Sequence, residues 1–425
     1  MTNSTSQAEI VRQSLKRRYR KERRFRAYGI TAIALAITAL VVLFSDIISK
    51  GHTGFLKTTV TLEVTFDPEI MYLEDATDPA QIRNADYLAP LMAALKREFP
   101  EVSGRSGERA LKGLLNSYSS SEVKDLVVAN PAVMGTTQTL TFVASDDVDV
   151  FVKHRDDSSY SLKLTEEQQA WTLALMERGV IDTSFNDVFF THGDSRDPGH
   201  AGVLGAIVGS LLTMAVTLLL SFPIGVAAAI YLEEFAPQNR LTDFIEVNIN
   251  NLAAVPSIIF GLLGLAIFIN LFGMPRSVPV VGGLVLMLMT LPTIIISSRA
   301  AIKSVPPSIR EAAEGIGASK MQVVLHHVLP LAMPGMLTGS IIGMAQALGE
   351  TAPLLLIGMV AFIVDVPDGF FSSATVLPVQ IFLWAGSPEL GFIERASAAI
   401  MVLLTFLISM NALAIWLRKR LERRW

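Results

Sequence analysis

Apolar residues fall along this chain in two regimes. Across residues 50–200 they alternate or recur among polar neighbours, and elsewhere they gather in long runs. The first run, Ala27–Ile48, is about 22 residues long, and ~20 span the hydrocarbon core of a bilayer. It exceeds a signal-peptide core and no small-residue cleavage site follows, so an uncleaved anchor is expected. Five further spans are predicted at about Val203–Leu232, Phe244–Phe272, Val278–Ile302, Gly335–Ile363 and Phe392–Leu417.

The intervening stretch has shorter periods. In "VTLEVTF" Val60, Leu62, Val64 and Phe66 alternate with Thr61, Glu63 and Thr65, the period of a strand. "DVDVFVKH" (Asp147–His154) and "SYSLKL" (Ser159–Leu164) read as further strands. Leu88, Leu91, Met92, Leu95 and Phe99 recur at helical spacing, with Pro90 near the helix start. Thr165 and Gln168 form a capping box ahead of a helix that Gly179 stops. The expected fold is an all-α polytopic membrane protein with six transmembrane helices and an inserted small α+β domain. Its plan is a basic stretch over 1–26, a span over 27–49, the α+β domain over 50–200 and a five-span core over 201–425.

Composition agrees with this plan. Charged residues make up 17% of the 425, against about 25% in soluble domains, and mean hydropathy is +0.46. Cysteine is absent, which excludes disulfides, thiolate metal sites and a cysteine nucleophile. The distribution of charge says more than its total. Lys16, Arg17, Arg18, Arg20, Lys21, Arg23, Arg24 and Arg26 precede the first apolar run directly, so they are read as fixing topology and not as binding nucleic acid. Six spans place both basic termini on one side, the second ending in Arg418, Lys419, Arg420, Arg423 and Arg424. The loops expected on that cytoplasmic side carry Arg240, Lys303, Arg310 and Lys320, whereas Val364–Gly391 has only Asp365, Asp368 and Glu389 as charges. The α+β domain then lies outside. It is acidic, with about 24 Asp and Glu against about 13 Lys and Arg, and long domains translocate regardless of charge.

Between the fourth and fifth spans lies a polar, helix-prone insert, "EAAEGIGASKMQVVLHHVLP" (Glu311–Pro330). Ala312, Ala313, Ile316 and Ala318 favour helix, Gly317 permits a tight turn, and Pro330 is expected to end the second helix. A short helix at the membrane base either fits a groove on a partner or serves as an interfacial connector. Glu350 is the carboxylate placed deep in a span, where ionisable groups are costly and usually functional. A helix break beside Pro353 would be its structural explanation. Arg299 sits near the cytoplasmic end of a span, where snorkelling competes with a pathway role. Asn248, Asn250 and Asn251, followed by Pro256 and Ser257, suggest either a broken helix whose start favours anions or hydrogen bonds between helices. Gly335, Gly339 and Gly343 mark a packing face. No Walker A sequence, Ser-His-Asp set or HExxH occurs, and the six histidines lack metal-ligand spacing, so catalysis by this chain is not expected.

The Glu311–Pro330 insert resembles the EAA loop of bacterial ABC-importer permeases. "AQALGETAPLLLIG" (Ala345–Gly358) and "YLEEFAPQNRLTDFIEVNINNLAAVPSIIFGLLGLAIF" (Tyr231–Phe268) narrow the resemblance to the phosphate-transport permeases typified by PstA, over about Val188–Trp425. His327 stands where that pattern has an aliphatic residue, and Gln346 where it often has Arg. The resemblance implies a MetI-like core and a cytoplasmic coupling loop at 303–331. Glu311, Ala312, Ala313, Gly317, Leu329 and Pro330 would engage an ATPase. Glu350, Thr351, Pro256, Ser257, Asn251 and Arg299 would lie along the substrate path. The implied partners are a PstC-like permease, a PstB-like ATPase dimer that uses ATP and Mg²⁺, a PstS-like periplasmic phosphate-binding protein, a phosphate-signalling regulator and membrane lipid. No cofactor is implied on this chain. The acidic domain leaves a second reading open, a sensor or scaffold in phosphate signalling, and related permeases carry sulfate, molybdate or phosphonate.

Overall fold

The computed structural model describes residues 7–75, 78–157, 160, 163–360 and 362–421. They fall into two compact units, one ending at Lys50 and one beginning at Gly51. The first is a single helix, α1 (Gln7–Gly51), which runs from the basic stretch through the apolar run without a break. Half of the strand expected at Ser159–Leu164 (159, 161 and 162), and Arg423 and Arg424, lie outside the described residues.

The second unit opens with an α+β module. Strand β1 (Leu56–Thr65) lies between β2 (Thr137–Val143) and β3 (Ile181–Phe185), both antiparallel to it, with Val60 opposite Phe142 on one side and Ile181 on the other. The alternation read from the sequence sets its buried face: Val60, Leu62, Val64 and Phe66 are all sealed in the core. Helix α2 (Leu88–Glu98) buries Leu91 and Leu95 there, and Phe99 follows. Helices α3 (Gly104–Lys112), α4 (Ser119–Ala129), α5 (Asp146–His154) and α6 (Glu166–Glu177) also belong to the module. The α6 capping box has both its hydrogen bonds, and Gly179 follows at φ +71°, a backbone shape only glycine adopts freely.

Helix α5 replaces the strand expected at Asp147–His154. Val148, Val150 and Val152 alternate, but Val148, Phe151 and Val152 also sit at helical spacing. The charges decide between the two periods. Asp146, Asp147 and Asp149 occupy the first turn, and Lys153 and His154 the last, which suits the helix dipole at both ends.

Among the described residues five helices are long and apolar enough to cross a membrane, and a bent pair brings the number to six. Besides the α1 segment they are α7 (Leu204–Phe235), the pair α8 (Arg240–Ala253) and α9 (Ser257–Leu271), α10 (Pro279–Lys303), α12 (Lys320–Gly349) and α15 (Leu390–Leu421). Between α10 and α12 lies α11 (Pro307–Gly315). Two short helices, α13 (Ala352–Leu356) and α14 (Leu377–Ala385), precede α15.

Two expected spans change shape. Phe244–Phe272 is not straight, because α8 and α9 meet at 103°. Pro256 has no amide to donate and pushes Val255 out of the helical region, so the break falls there. The span expected at Gly335–Ile363 begins earlier and ends at Gly349, which leaves Glu350 in extended backbone. Pro330 does not end a helix: a widened turn over Val323–Val328 carries α12 straight through it. The glycine series packs as its spacing suggests. A Cβ at Gly339 would fall 1.7 Å from Ser297 Oγ, and one at Gly335 2.6 Å from the Ala301 Cβ.

Candidate functional site: a paired-helix surface and two polar breaks

The helix pair α11–α12 is built to be gripped from one side and presented on the other. Ala313, Val323 and Val328 are buried against Ala301, Ile302 and Val305 at the end of α10 and against Val226 and Ala229 on α7. The turn between the helices depends on Gly317, at φ +88° with its amide on the Glu314 carbonyl. The Ser319 hydroxyl and the Gln322 amide oxygen cap the following helix reciprocally. Opposite the buried face, Ile316 (84%), Met321 (54%) and Leu325 (46%) are exposed, an apolar strip beside exposed Glu311 and Ala312. Leu329 and Pro330 are half-buried where α12 enters the core. His327 is exposed, so the polar ring in place of an aliphatic residue carries no burial cost.

A charge network ties this surface to the spans. Arg310 on α11 donates to Glu234 at 2.8 Å and to the carbonyls of Ile302 (3.0 Å) and Val305 (2.7 Å). Arg299 bridges Glu233 at 2.5 Å and Glu246 at 2.9 Å, and Lys303 reaches Glu233 at 3.4 Å. The ends of α7, α10 and α11 are thereby fastened to one another and to the middle of α8. Sequence reasoning noticed Arg299 but not its partners. The Glu233–Glu234 pair closing one span, opposite cations closing another, was the available signal.

The two polar breaks meet elsewhere. Glu350 caps α12 and Thr351 opens α13. A Cβ at Gly261 of α9 would lie 2.7 Å from the Pro353 Cα, so the half-helix that follows Pro256 and Ser257 packs directly on α13. Glu350 and Ser257 are half-buried, and the Glu350 carboxylate has no hydrogen-bond or ion-pair partner among the described residues. Gln346 is exposed on α12. Asn248 donates back to the Phe244 carbonyl at 2.7 Å, and Asn250 and Asn251 are exposed, so the described structure shows no hydrogen bond from their side chains to a neighbouring helix. Arg299 does not join this group. It lies level with about residue 337 of α12, so Glu350 is about 13 residues on, roughly 20 Å at 1.5 Å per residue.

A third cluster escaped sequence reasoning. Glu394 and Arg395, both 4% exposed, open α15 and meet α5 of the α+β module. Glu394 accepts from His154 at 2.6 Å and lies 3.6 Å from Lys153. Lys153 also binds Asp149 (2.6 Å), whose other oxygen accepts the Thr58 amide (2.9 Å), while Arg395 donates to the Ala201 carbonyl (3.2 Å). Asp146 lies against Gly391 with one carboxyl oxygen buried and unpartnered among the described residues. Burial, reinforced by the Asp149 and Asp147 charges and opposed by Arg395, pushes its pKa up to about 7. Adjacent opposite charges at the head of an apolar run were the legible hint.

Two protein families match this chain. Residues 221–425 match the binding-protein-dependent transport system inner membrane component, and residues 12–161 match a domain of unknown function, DUF3333. The chain is 30% identical over 256 residues to the phosphate transport system permease protein PstA 1 of Mycobacterium tuberculosis, covering 60% of this chain and 77% of that protein. It is 33% identical over 214 residues to PstA of Mycobacterium leprae, covering 49% and 68%. It is 34% identical over 177 residues to the probable ABC transporter permease protein YqgI of Bacillus subtilis, where it spans 42% of this chain and only 59% of the relative. Among solved structures, an inward-facing MetNI methionine ABC transporter aligns with a TM-score of 0.41 and 17% identity, over 51% of this chain and 94% of that one.

Proposed function

Because the chain belongs to the PstA family of phosphate-transport permeases, a multi-pass inner-membrane family of ABC-transporter subunits, we propose that it carries inorganic phosphate inward together with a second, PstC-like permease. A PstB-like ATPase dimer binds ATP and Mg²⁺ and supplies the motion. A PstS-like binding protein delivers phosphate to the outer face, and this chain performs no hydrolysis. Both termini and the α11–α12 pair face the cytoplasm, and the α+β module lies outside, as the basic residues of the short loops favour.

The observation that carries this reading is the α11–α12 surface. It exposes Ile316, Met321 and Leu325 to a partner, while Arg310 binds its other side to α7 and α10. A push on the exposed strip is transmitted because packed helices switch between discrete arrangements and do not stretch. Glu311, Ala312, Ala313 and Gly317 shape the docking pair, and Leu329–Pro330 joins it to the spans. The polar breaks at Pro256–Ser257 and Glu350–Thr351, with Asn251 at the mouth of the first, line the path. Arg299, held by two carboxylates, serves the coupling end in this reading. A carboxylate repels phosphate, so Glu350 takes a cation from the second permease.

Labelled-phosphate uptake at low phosphate tests this in cells lacking the gene, with wild type or Gly317→Leu returned and labelled sulfate as control. Wild type restores phosphate but not sulfate uptake. Gly317→Leu inserts in the membrane yet does not transport, because a β-carbon at that φ distorts the docking turn. Uptake by Gly317→Leu equal to wild type would sink the docking claim. Uptake that never depends on this chain would move the sensor reading, which the buried joint between module and α15 favours, to the front.

A further inference from the structure

The geometry points to a second anion site, in the α+β module and away from the membrane spans, that takes a phosphoryl group. A cavity of about 420 Å³ opens there between the end of α3 and the start of α4, within the size range of small-ligand pockets. Leu88 and Leu91 form its apolar wall, and Arg109, Lys112, Ser119 and Ser120 supply donors.

Two independent features converge on an anion. Arg109 and Lys112 stand in the last turn of α3, both exposed, and neither has a carboxylate partner among the described residues. This is notable in a module where acids outnumber bases, and the nearby carboxylates already have partners, Asp197 on Asn116 and Ser117 of the cavity wall itself. Asp197 accepts from Asn116 at 2.7 Å and from the Gly199 amide at 2.8 Å, Glu122 pairs with His200 at 2.8 Å, and Glu108 pairs with Lys96 at 2.6 Å. Ser119, in the cavity lining, is 2% exposed, and its hydroxyl has no partner among the described residues. A buried hydroxyl without a partner is costly, and a phosphoryl oxygen between it and two free cations removes that cost.

The phosphoryl group could be free orthophosphate or the head group of an anionic lipid, and the test separates these sources. Hydrogen exchange is followed by mass spectrometry over residues 104–125 of the full chain, in maltoside micelles with orthophosphate or with chloride at equal ionic strength. A third sample uses phosphatidylglycerol nanodiscs. At about ten times the dissociation constant, binding slows exchange of the first α4 turn ~tenfold. Slowing by orthophosphate identifies a free-phosphate site, and slowing confined to the anionic discs identifies a head-group site. In either case Arg109→Gln with Lys112→Gln abolishes the effect, and Ser119→Ala, which keeps the fold because it only removes a hydroxyl, weakens it. Unchanged exchange in both ligand conditions, or slowing that persists in Ser119→Ala and in the double variant alike, overturns the site. Because the readout is local to the module, the result is independent of whether the spans transport phosphate.

Discussion

Asp146 makes the joint between the α+β module and α15 sensitive to pH, in a direction that can be worked out. Its carboxyl has a pKa of about 7 in the folded chain, against 3.8 for an ordinary aspartate. At 1.36 kcal/mol per pH unit the gap is worth ~4 kcal/mol. The native state holds the proton more tightly than the unfolded one. This contribution is therefore fully present below pH 3.8, declines as pH rises, and is gone above about pH 7. Asp146→Asn keeps the shape and removes the titration. The two proteins should match near pH 4, and at pH 8 the variant should be more stable, by up to ~4 kcal/mol if the joint opens with the module. The assay is thermal unfolding of the full chain in micelles between pH 4 and 8, with hydrogen exchange of α5 read at each pH to locate the change. Parallel pH profiles for the two proteins, or a variant less stable than wild type at pH 8, would refute the reasoning.

Other consequences are local. Gly339→Ala should destabilise the α10–α12 pair by ~2 kcal/mol or more in thermal melts, since its Cβ would lie 2.3 Å from the Ser297 Cβ, while Gly343→Ala, with 3.7 Å of room at Thr290, should be nearly silent. Arg310→Ala should lower phosphate uptake about tenfold or more without loss of protein, because Glu234 is left partly buried and unpaired, and adding Glu234→Ala should recover part of the loss. Glu350→Gln should cut uptake about tenfold, as expected when one charge-assisted contact is lost. Immunoblots of the membrane fraction supply the control, and wild-type uptake in that variant would remove Glu350 from the path.

What could be read in advance depended on whether a signal was local. β1 was legible because Val60, Leu62, Val64 and Phe66 carry the whole pattern of one buried face. The capping box at Thr165–Gln168 is a four-residue device and was found as such. Asp147–His154 misled because two periods fit the same valines and only the charge order at the helix ends separates them. At the candidate sites, the Gly317 turn and the break at Pro256 followed from single residues. The partners of Arg299 and the joint built by Glu394 and Arg395 did not, because each joins residues about 50 to 240 apart in sequence, which only the folded chain brings together.

The placement of charge separates the working parts of this permease. At one end of the spans, Glu233, Glu234 and Glu246 are matched by Arg299, Lys303 and Arg310, and at the module joint Glu394 and Asp149 are matched by Lys153. Such pairs hold helix ends in register and leave little net charge to attract or repel a passing anion. Glu350, at the break where α13 packs on α9, breaks the pattern, since no cation of the described chain answers it. A lone carboxylate in an apolar bundle is expensive, and a pairing cation offsets that cost. Paired by a cation from a second permease, it would close the path only when the two subunits meet. Transport would then require both permeases, and movement of the fastened ends would open and close a polar centre that neither subunit completes alone.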